Sequence, residues 1–471
     1  EKVPLGLGKK GDLTTIRCGA LEGGTDVYLT AKVAADAATF AKEGFTQLTV
    51  SFHAPFLFQN ALAGACRLSF GSLVNGKDKG VVMSEPVEFV PGQERTLYSY
   101  DPQADLKVVL SGLPDGLQDA TKVFSAKQTE AKVDTIKVVD KDGEKDELSV
   151  EFAMKPTRTF VVFAPYWLVN KSCVPLVYVS SHKHKPLCGM LGGAHPSVAG
   201  AARVDEALPK MCTHGSICVR TEHGPASSSF SIETVGASGV VECIDTQSRT
   251  LYSLRVSCYL GEGAFTRTKI VTFCPHHVLV NQLPGCTVVV KQDDTPGRPF
   301  RLPPGAQRSF HWWLPSADCR DIARVPRRAT VTVAELDGTH EASGSFTVDE
   351  VGSGVLRLRA KPGCADARDR FLHYEVVDAA YTTFILWRAV TTDAAPFRVD
   401  NDTRHELRVC QKDVDPAHTA VVRPYSTLDY AWDEPLRTQE LCVASALYGS
   451  SSPAEQQQQQ EHAYAINKLR E

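Results

Sequence analysis

The sequence predicts an all-β protein, and three observations carry this prediction. Apolar and polar residues alternate in short stretches rich in Val, Thr and Leu, such as 330–334, 355–359 and 406–410. The 34 Gly and 27 Pro residues separate many such stretches, as turns between short strands require. Helical patterns are scarce, and the best candidate for a short helix is the segment 116–127.

The composition is that of a globular protein without a strong charge. The 471 residues are 43% hydrophobic and 23% charged, and about 150 residues per domain would give about three domains. The net charge of −4 argues against direct binding of nucleic acid or of an anionic membrane surface. Because the sequence begins with Glu1 and no signal-peptide pattern follows, we expect an internal part of a longer protein.

Four segments repeat one pattern, in which a Pro and a mostly apolar stretch lead to an Asn. The Pro-to-Asn offsets are 5, 5, 6 and 5, and the Asn residues follow one another after 110, 111 and 120 positions. This register indicates a tandem array of β-sandwich-like repeats of about 110 residues. The segments are Pro55 to Asn60, Pro165 to Asn170, Pro275 to Asn281, and Pro396 to Asn401.

Two further motifs keep the same order. A pair of Pro residues 11 positions apart encloses aromatic residues at 91–102, 304–315 and 424–435, including Trp313, Trp432 and the closing Pro435. A Ser-Phe motif at 229–236 returns 116 positions later at 345–352. The repeats divide the chain into 1–50, a tail of an upstream repeat; 51–160, 161–270 and 271–391, three β repeats; 392–448, a truncated repeat; and 449–471, a low-complexity loop or tail.

The repeated residues have a structural interpretation and a functional one. A Pro at a strand entry costs no ladder hydrogen bond, and the aromatic residues near Trp313 and Trp432 fit a core, although exposed anchors for a ligand are the alternative. The Asn can organise a loop or an inter-strand contact, which we favour over direct ligand binding because repeat motifs usually encode the fold of the module.

Neither the cysteines nor the polar residues indicate a disulfide array, a metal site or an active site. Counted from each repeat Asn, the next Cys falls at +6, +3, +5 and +9, so the 14 cysteines share no register and we expect thiols in a reducing compartment. No nucleophile elbow, phosphate loop or metal-ligand spacing is present. We therefore expect no enzyme, cofactor or metal.

The Pro-to-Asn register and the string from Tyr430 to Leu436 resemble the adaptor-binding region of the vacuolar-protein-sorting thirteen family of bridge-like lipid-transfer proteins. The resemblance extends from about Gly11 to Leu441. The second repeat departs from it by a swelling near 191–208, and the third by one extra residue before Asn281.

The resemblance implies a cytoplasmic protein that lies peripherally on organelle membranes at contact sites. Organelle adaptor proteins with Pro-x-Pro motifs are the implied partners, contact with the membrane is indirect, and the lipid groove lies elsewhere in the parent chain. If the order of the family carries over, the repeats of Asn281 and Asn401 are the first candidates for adaptor binding. Two alternatives are an extracellular array of β-sandwich adhesion or receptor modules, which the unregistered cysteines disfavour, and an enzyme with an unrecognised site.

Overall fold

The computed structural model describes residues 13–19, 26–36, 47–73, 81–128, 130–139, 145–154, 156–180, 186–191, 210–293, 299–314, 325–336, 338–364, 368–379, 381–388, 395–445 and 463–464. The predicted all-β class is confirmed: these residues form 37 strands and no α-helix. The expected low-complexity tail 449–471 lies almost wholly outside the described residues.

The strands are short and follow the repeat order. The tail and the Asn60 repeat contain β1 (Leu13–Cys18), β2 (Val27–Asp36), β3 (Gln47–His53), β4 (Phe56–Ala61), β5 (Cys66–Leu73), β6 (Val87–Phe89), β7 (Glu94–Leu97), β8 (Asp105–Ser111), β9 (Ala120–Phe124), β10 (Lys132–Val139), β11 (Lys145–Met154) and β12 (Arg158–Phe163). The Asn170 repeat contains β13 (Tyr166–Asn170), β14 (Leu176–Ser180), β15 (Pro186–Leu191), β16 (Lys210–Cys212), β17 (Ser216–Arg220), β18 (Phe230–Ser231), β19 (Ser238–Asp245), β20 (Thr250–Leu260) and β21 (Lys269–Pro275).

The remaining strands belong to the last two repeats. The Asn281 repeat contains β22 (His277–Gln282), β23 (Val288–Gln292), β24 (Phe300–Leu302), β25 (Gln307–Phe310), β26 (Trp312–Trp313), β27 (Arg328–Val333), β28 (Phe346–Thr347), β29 (Gly352–Leu358), β30 (Arg370–Ala379) and β31 (Thr382–Arg388). The Asn401 repeat contains β32 (Phe397–Asn401), β33 (Leu407–Gln411), β34 (Ala420–Val422), β35 (Ser426–Tyr430), β36 (Leu441–Ser445) and β37 (Ala463–Tyr464). Single 3-10 turns occur at Pro114–Gly116, Gly263–Phe265, Ala334–Leu336 and Pro416–His418.

The expectation of a short helix at 116–127 is wrong. Gly116 ends a 3-10 turn, and β9 then pairs antiparallel with β8. Ala120 and Phe124 at the ends of β9 are buried in the core. Pairing and burial of this segment therefore override its local helical preference.

Two repeats share one sandwich topology. The Asn60 repeat has two sheets, one with the strand order β7-β4-β12-β11-β10 and the other with the order β6-β5-β8-β9. The Asn281 repeat has the same orders, β25-β22-β31-β30-β29 and β24-β23-β27-β28. Apolar side chains of both sheets meet in the core, where the rings of Phe58 and Phe70 are 4.8 Å apart. The alternation read from the sequence thus supplies one buried face to each sheet.

The first and the last strand of each complete repeat pair with each other in parallel. β4 pairs with β12, β13 with β21, and β22 with β31. The Pro of the next repeat lies two residues after β12 and is the last residue of β21. In the Asn401 repeat, β32 pairs with β35, and no parallel partner of β32 occurs among the described residues.

The chain divides into two compact units, each with its own core. The first comprises 1–220, 228–238 and 257–273, and its core is built around the Phe side chains of the Asn60 repeat. The second comprises 221–227, 239–256 and 274–471, and its cores surround Trp312 and Trp387 in one repeat and Tyr430 and Trp432 in the next.

Candidate functional site

The repeat Asn side chains are buried and bond to the backbone. Asn281 is fully buried, and its amide nitrogen donates to the carbonyls of Cys286 at 2.8 Å and of Leu302 at 2.9 Å. Its amide oxygen accepts from the N–H of Leu283 at 2.9 Å. One side chain thus closes the turn after β22 and reaches β24 in the opposite sheet.

Two other repeats reproduce this geometry. Asn60 donates to Gly64 at 3.1 Å and Phe89 at 2.9 Å and accepts from Leu62 at 3.0 Å; Asn401 donates to His405 at 2.8 Å and Val422 at 3.0 Å and accepts from Thr403 at 3.1 Å. Asn170 donates to Val174 at 2.7 Å and accepts from Ser172 at 3.0 Å, while much of the swollen insert that follows lies outside the described residues. Only a side chain with both a donor and an acceptor can satisfy such a set of backbone groups.

Three of the four repeat Pro residues lie directly before the strand that carries the Asn, whereas Pro275 ends β21 and so does not start a strand as predicted. The carbonyl of Pro55 accepts from the N–H of Arg158 at 3.0 Å, and that of Pro165 accepts from Lys269 at 2.9 Å. Pro396 precedes β32 in the same way. Since Pro has no N–H, it starts the strand without leaving a ladder donor unpaired.

The extra residue of the third repeat is His276, which lies between Pro275 and β22. His276 follows Pro275, and the carbonyl of His276 accepts the N–H of Thr383 at 2.8 Å. The bond that Pro makes in the first two repeats is therefore made one residue later, which explains the Pro-to-Asn offset of 6.

A turn with positive φ follows at the start of the second motif in three repeats. Gly92 has a φ of +79°, Gly305 of +69° and Tyr425 of +54°. The N–H of Gly92 donates to the carbonyl of Asn60 at 2.7 Å, and that of Gly305 donates to Asn281 at 2.9 Å. Left-handed backbone at this turn thus brings its N–H to the main chain of the repeat Asn.

The aromatic residues of the second motif differ in burial. Trp312 is fully buried and Trp432 is 6% exposed. Trp313 is only half-buried, and the guanidinium carbon of Arg249 lies 5.6 Å from its ring centroid. Two buried amides that the sequence did not single out support this motif: Gln292 accepts from the N–H of Trp313 at 2.6 Å, and Gln411 accepts from that of Glu434 at 2.9 Å.

Asp433 joins the Asn401 repeat to the preceding one. Its buried carboxylate accepts from Arg359 at 2.7 Å and from Arg357 at 3.3 Å, and both Arg residues lie on or just after β29. Asp369 is the second acid beside Arg357, and although burial opposes ionisation, the Arg357 charge holds the pKa of Asp369 below its ordinary value. The arrangement is a buried network of opposite charges, which the sequence motif did not reveal.

A cleft lies at each of the four places where a repeat Pro follows a β-hairpin of the preceding sequence. The first cleft is lined by β1, β2 and Pro55 and has a volume of about 330 Å³, and the second is lined by β10, β11 and Pro165 and has about 540 Å³. The third is lined by β19, β20 and His276 and has about 460 Å³, and the fourth is lined by β29, β30 and Pro396 and has about 710 Å³.

The fourth cleft, between the Asn281 and Asn401 repeats, has aromatic walls. Tyr374, Phe397 and Trp432 line it together with Leu436 and Pro435. Among the described residues, no Phe, Tyr or Trp lines the other three clefts. The polar groups at the fourth cleft include Glu350 and an ion pair of 2.8 Å between Arg388 and Glu375.

The polar chemistry of the described residues suits packing more than catalysis. No group of three or more His, Cys, Asp or Glu side chains there could hold a metal ion. Burial lowers the pKa of His276 to about 4 and that of His311 to about 3, with the neighbouring His277 adding to both shifts, so both rings are neutral at pH 7. None of the described residues forms a helix with the length and hydrophobicity of a membrane span.

Comparison with known proteins assigns the array to a family. The family described as "Vacuolar-sorting associated protein 13, adaptor binding domain" matches residues 9–439. Human intermembrane lipid transfer protein VPS13D is 23% identical over 369 residues, covering 73% of this chain and 8% of the human protein. Intermembrane lipid transfer protein vps13A of Dictyostelium discoideum is 22% identical over 443 residues, covering 84% of this chain and 12% of that protein.

The fold indicates the class of protein, and the sequence comparison then identifies the family. Tandem β-sandwiches joined by clefts are typical of a protein-binding repeat region. The chain belongs to the vacuolar-sorting-associated protein 13 family and corresponds to its adaptor-binding domain. It spans about a tenth of the length of the curated relatives it matches.

Proposed function

We propose that this chain recruits a bridge-like lipid-transfer protein to organelle membranes by binding the Pro-x-Pro motifs of adaptor proteins. The chain is the adaptor-binding part, has no enzymatic activity of its own, and touches the membrane only through its partners. The parent protein works in the cytoplasm at membrane contact sites and carries lipid in a groove that lies in another part of it. Membership of the family supports this proposal over the extracellular adhesion array.

The aromatic cleft beside β29 is the site that we propose for the peptide, and its lining is the observation that carries the proposal. Pro-rich segments adopt an extended helix without internal hydrogen bonds and dock their rings on aromatic walls. Tyr374, Phe397 and Trp432 supply such walls. The cleft also lies between the Asn281 and Asn401 repeats, which are the repeats that the family resemblance favours.

The neighbouring strand can add backbone contacts. β29 is the edge strand of its sheet, and Gly352 and Ser353 at its start are exposed. An extended peptide can pair with such an edge while alternate side chains enter the cleft. Asn281 and Asn401 act on binding indirectly in this scheme, because their amides hold the turns and sheets that carry the cleft.

The experiment is a titration of labelled Pro-x-Pro peptides with the full chain, followed by fluorescence anisotropy. Leu436, which lines the cleft and is 42% exposed, is changed to Ala; Val421, 49% exposed and outside the cleft, is changed to Ala as the matched control. We expect Leu436→Ala to weaken binding about five- to tenfold, because it removes buried apolar contact worth about 1 kcal/mol or more, and Val421→Ala to leave the Kd unchanged.

Two outcomes would contradict the proposal. If no Pro-x-Pro peptide binds the folded chain, adaptor recognition by such motifs is wrong for this protein. If a peptide binds and its affinity survives both Leu436→Ala and Phe397→Ala, the motif is recognised elsewhere and the cleft is not the site. A peptide with both Pro residues changed to Ala is the control for the contribution of the motif itself.

A further inference from the structure

Two cysteines face each other across neighbouring strands of the Asn401 repeat. In the antiparallel pairing of β33 with β36, Cys410 lies directly opposite Cys442. Other strand registers place Cys18 opposite Val27, Cys66 opposite Phe89, Cys212 opposite Tyr166 and Cys218 opposite Val179. Cys410 and Cys442 differ from these four cysteines because each of their thiols lies opposite another thiol.

The backbone separation at this position is compatible with a disulfide. The N–H of Lys412 donates to the carbonyl of Glu440 at 2.9 Å, so by the alternation of antiparallel ladders Cys410 and Cys442 are also a hydrogen-bonded pair. The Cα atoms of such a pair lie about 5.5 Å apart, and disulfides span about 4.4–6.8 Å. Opposite Cβ atoms of a hydrogen-bonded pair lie about 5.5 Å apart and a disulfide needs about 3.5–4.5 Å, so closing the bond requires the strands to approach by about 1 Å or more.

The two thiols are also accessible and influence each other. Both cysteines are partly exposed rather than sealed in the core. Partial burial, and then the nearby Cys410, raise the pKa of Cys442. The raised pKa of Cys442 lowers its thiolate fraction at neutral pH, so its exchange with a disulfide is slow at pH 7 and faster at higher pH.

We propose that Cys410 and Cys442 are a reversible dithiol, oxidised to an intramolecular disulfide by low-molecular-weight disulfides such as glutathione disulfide. One cysteine loses its proton and attacks a glutathione sulfur, which forms a mixed disulfide and releases one glutathione thiolate. The second cysteine loses its proton and attacks the protein sulfur of the mixed disulfide, which closes the Cys410–Cys442 bond and releases the second glutathione thiolate. The two protons pass to these thiolates, so two protein thiols are oxidised and one glutathione disulfide is reduced to two glutathiones.

The position on adjacent strands makes the bridge easy to reduce. Because the strands must draw together to close the bond, the oxidised form carries strain, and strained disulfides have higher reduction potentials than structural ones. Reduced glutathione in excess therefore returns the pair to two thiols. The inference concerns the chemistry of this sheet and does not depend on the adaptor site.

The experiment treats the full chain with glutathione disulfide, blocks remaining thiols with N-ethylmaleimide and maps the tryptic peptides by mass spectrometry. We expect a cross-link between the peptides that contain Cys410 and Cys442, in a protein that stays monomeric on a non-reducing gel. In Cys410→Ser, Cys442 instead carries a single glutathione, whereas Cys286→Ser, a distant and partly exposed cysteine, leaves the cross-link intact. The initial rate rises roughly tenfold from pH 7 to pH 8, because the thiolate fraction rises tenfold per unit below the pKa.

The proposal is overturned if Cys410 and Cys442 carry glutathione or N-ethylmaleimide separately in the wild-type chain, with no cross-linked peptide, after the exposed Cys173 has been fully glutathionylated. A cross-link that forms between molecules rather than within one would overturn it as well.

Discussion

At the scale of single residues, the repeat Asn solves a problem of backbone hydrogen bonding. In the repeats of Asn60, Asn281 and Asn401, a buried amide donates to two or more carbonyls and accepts from the N–H two residues later. A buried backbone group without a partner costs about 1–3 kcal/mol. The recurrence of Asn therefore has a sufficient explanation in the fold, and its influence on adaptor binding remains a proposal.

Removal of one repeat Asn should destabilise its unit. We expect Asn281→Ala to lower the free energy of unfolding by about 2–4 kcal/mol, because the Leu302 carbonyl and the Leu283 N–H lose their partner. Urea unfolding followed by Trp fluorescence measures it, since four of the five Trp residues lie in the second unit. The exposed neighbour Gln282→Ala is the control and should change stability by less than about 0.5 kcal/mol. Equal effects of the two changes would show that the amide contacts do not matter.

His311 should make the stability of the second unit depend on pH. Burial first, and then His277, lower the pKa of His311 to about 3, whereas an unfolded His titrates near 6.5. As the pH falls from about 6.5 towards 3, the unfolded chain binds a proton that the folded chain does not. Stability is therefore complete above pH 6.5 and falls below it by up to about 1.4 kcal/mol per pH unit, less any contact of the ring with water.

The measurement is the urea midpoint of the second unit at several pH values from 7.5 to 4.5. His311→Asn should reduce the slope in that range, and His373→Asn, on β30 of the same repeat, serves as the control. A slope that His311→Asn leaves unchanged would assign the pH dependence to other groups.

At the scale of elements, strand pairing explains features of the repeat that spacing alone could not. In the three complete repeats, the parallel partner of the Asn-bearing strand comes from about 100 residues later, as with β4 and β12. The extra residue in the third repeat moves a main-chain hydrogen bond from the Pro carbonyl to that of His276. The Gln292 and Gln411 amides hold the aromatic motif from a neighbouring strand. They follow the repeat Asn by 11 and 10 positions, so their spacing was a signal that the sequence analysis did not use.

The carboxylate of Asp433 should be essential for the attachment of the last repeat. We expect Asp433→Ala to destabilise this region by about 3–5 kcal/mol, because Arg359 and the buried Arg357 lose a shared partner. Asp400→Ala removes an exposed pair with Arg398 and should cost much less stability than Asp433→Ala. Proteolysis of both variants under native conditions, with cleavage sites mapped by mass spectrometry, compares the two losses. If the variants are cut equally slowly within 395–445, the buried pair contributes no more than a surface pair.

At the scale of the whole chain, charge and architecture point to protein partners. The net charge of −4 gives no long-range attraction to an anionic membrane. Four clefts recur at equivalent places with different linings. Such an array offers related but chemically distinct surfaces along one chain.

The isolated chain should therefore not bind lipid surfaces by charge. In a flotation assay, we expect the same small bound fraction with vesicles of pure phosphatidylcholine and with vesicles containing 30% phosphatidylserine. Each basic residue of a polybasic segment contributes roughly 1 kcal/mol to binding an anionic membrane, and a chain with a net charge near zero lacks this contribution. A markedly larger fraction on the anionic vesicles would contradict the proposal that membrane contact is indirect.

The sequence by itself determined the fold class, the repeat and the family, because these depend on local patterns that recur along the chain. Alternation of apolar residues, Pro at strand entries and Asn in one register are all readable at separations of a few residues. The segment 116–127 was misjudged because burial of Phe124 and pairing with β8 come from residues that its own sequence does not contain.

The tertiary structure alone decided how distant residues meet. It placed Asp433 against Arg357 and Arg359, Cys410 opposite Cys442, and Tyr374 beside Phe397 and Trp432 in one cleft. The partners in these groups are separated by about 20 to 75 positions with no shared spacing. The motif register fixes what each strand looks like, whereas the pairing of strands and the packing of successive repeats decide which side chains become neighbours and which chemistry they can support.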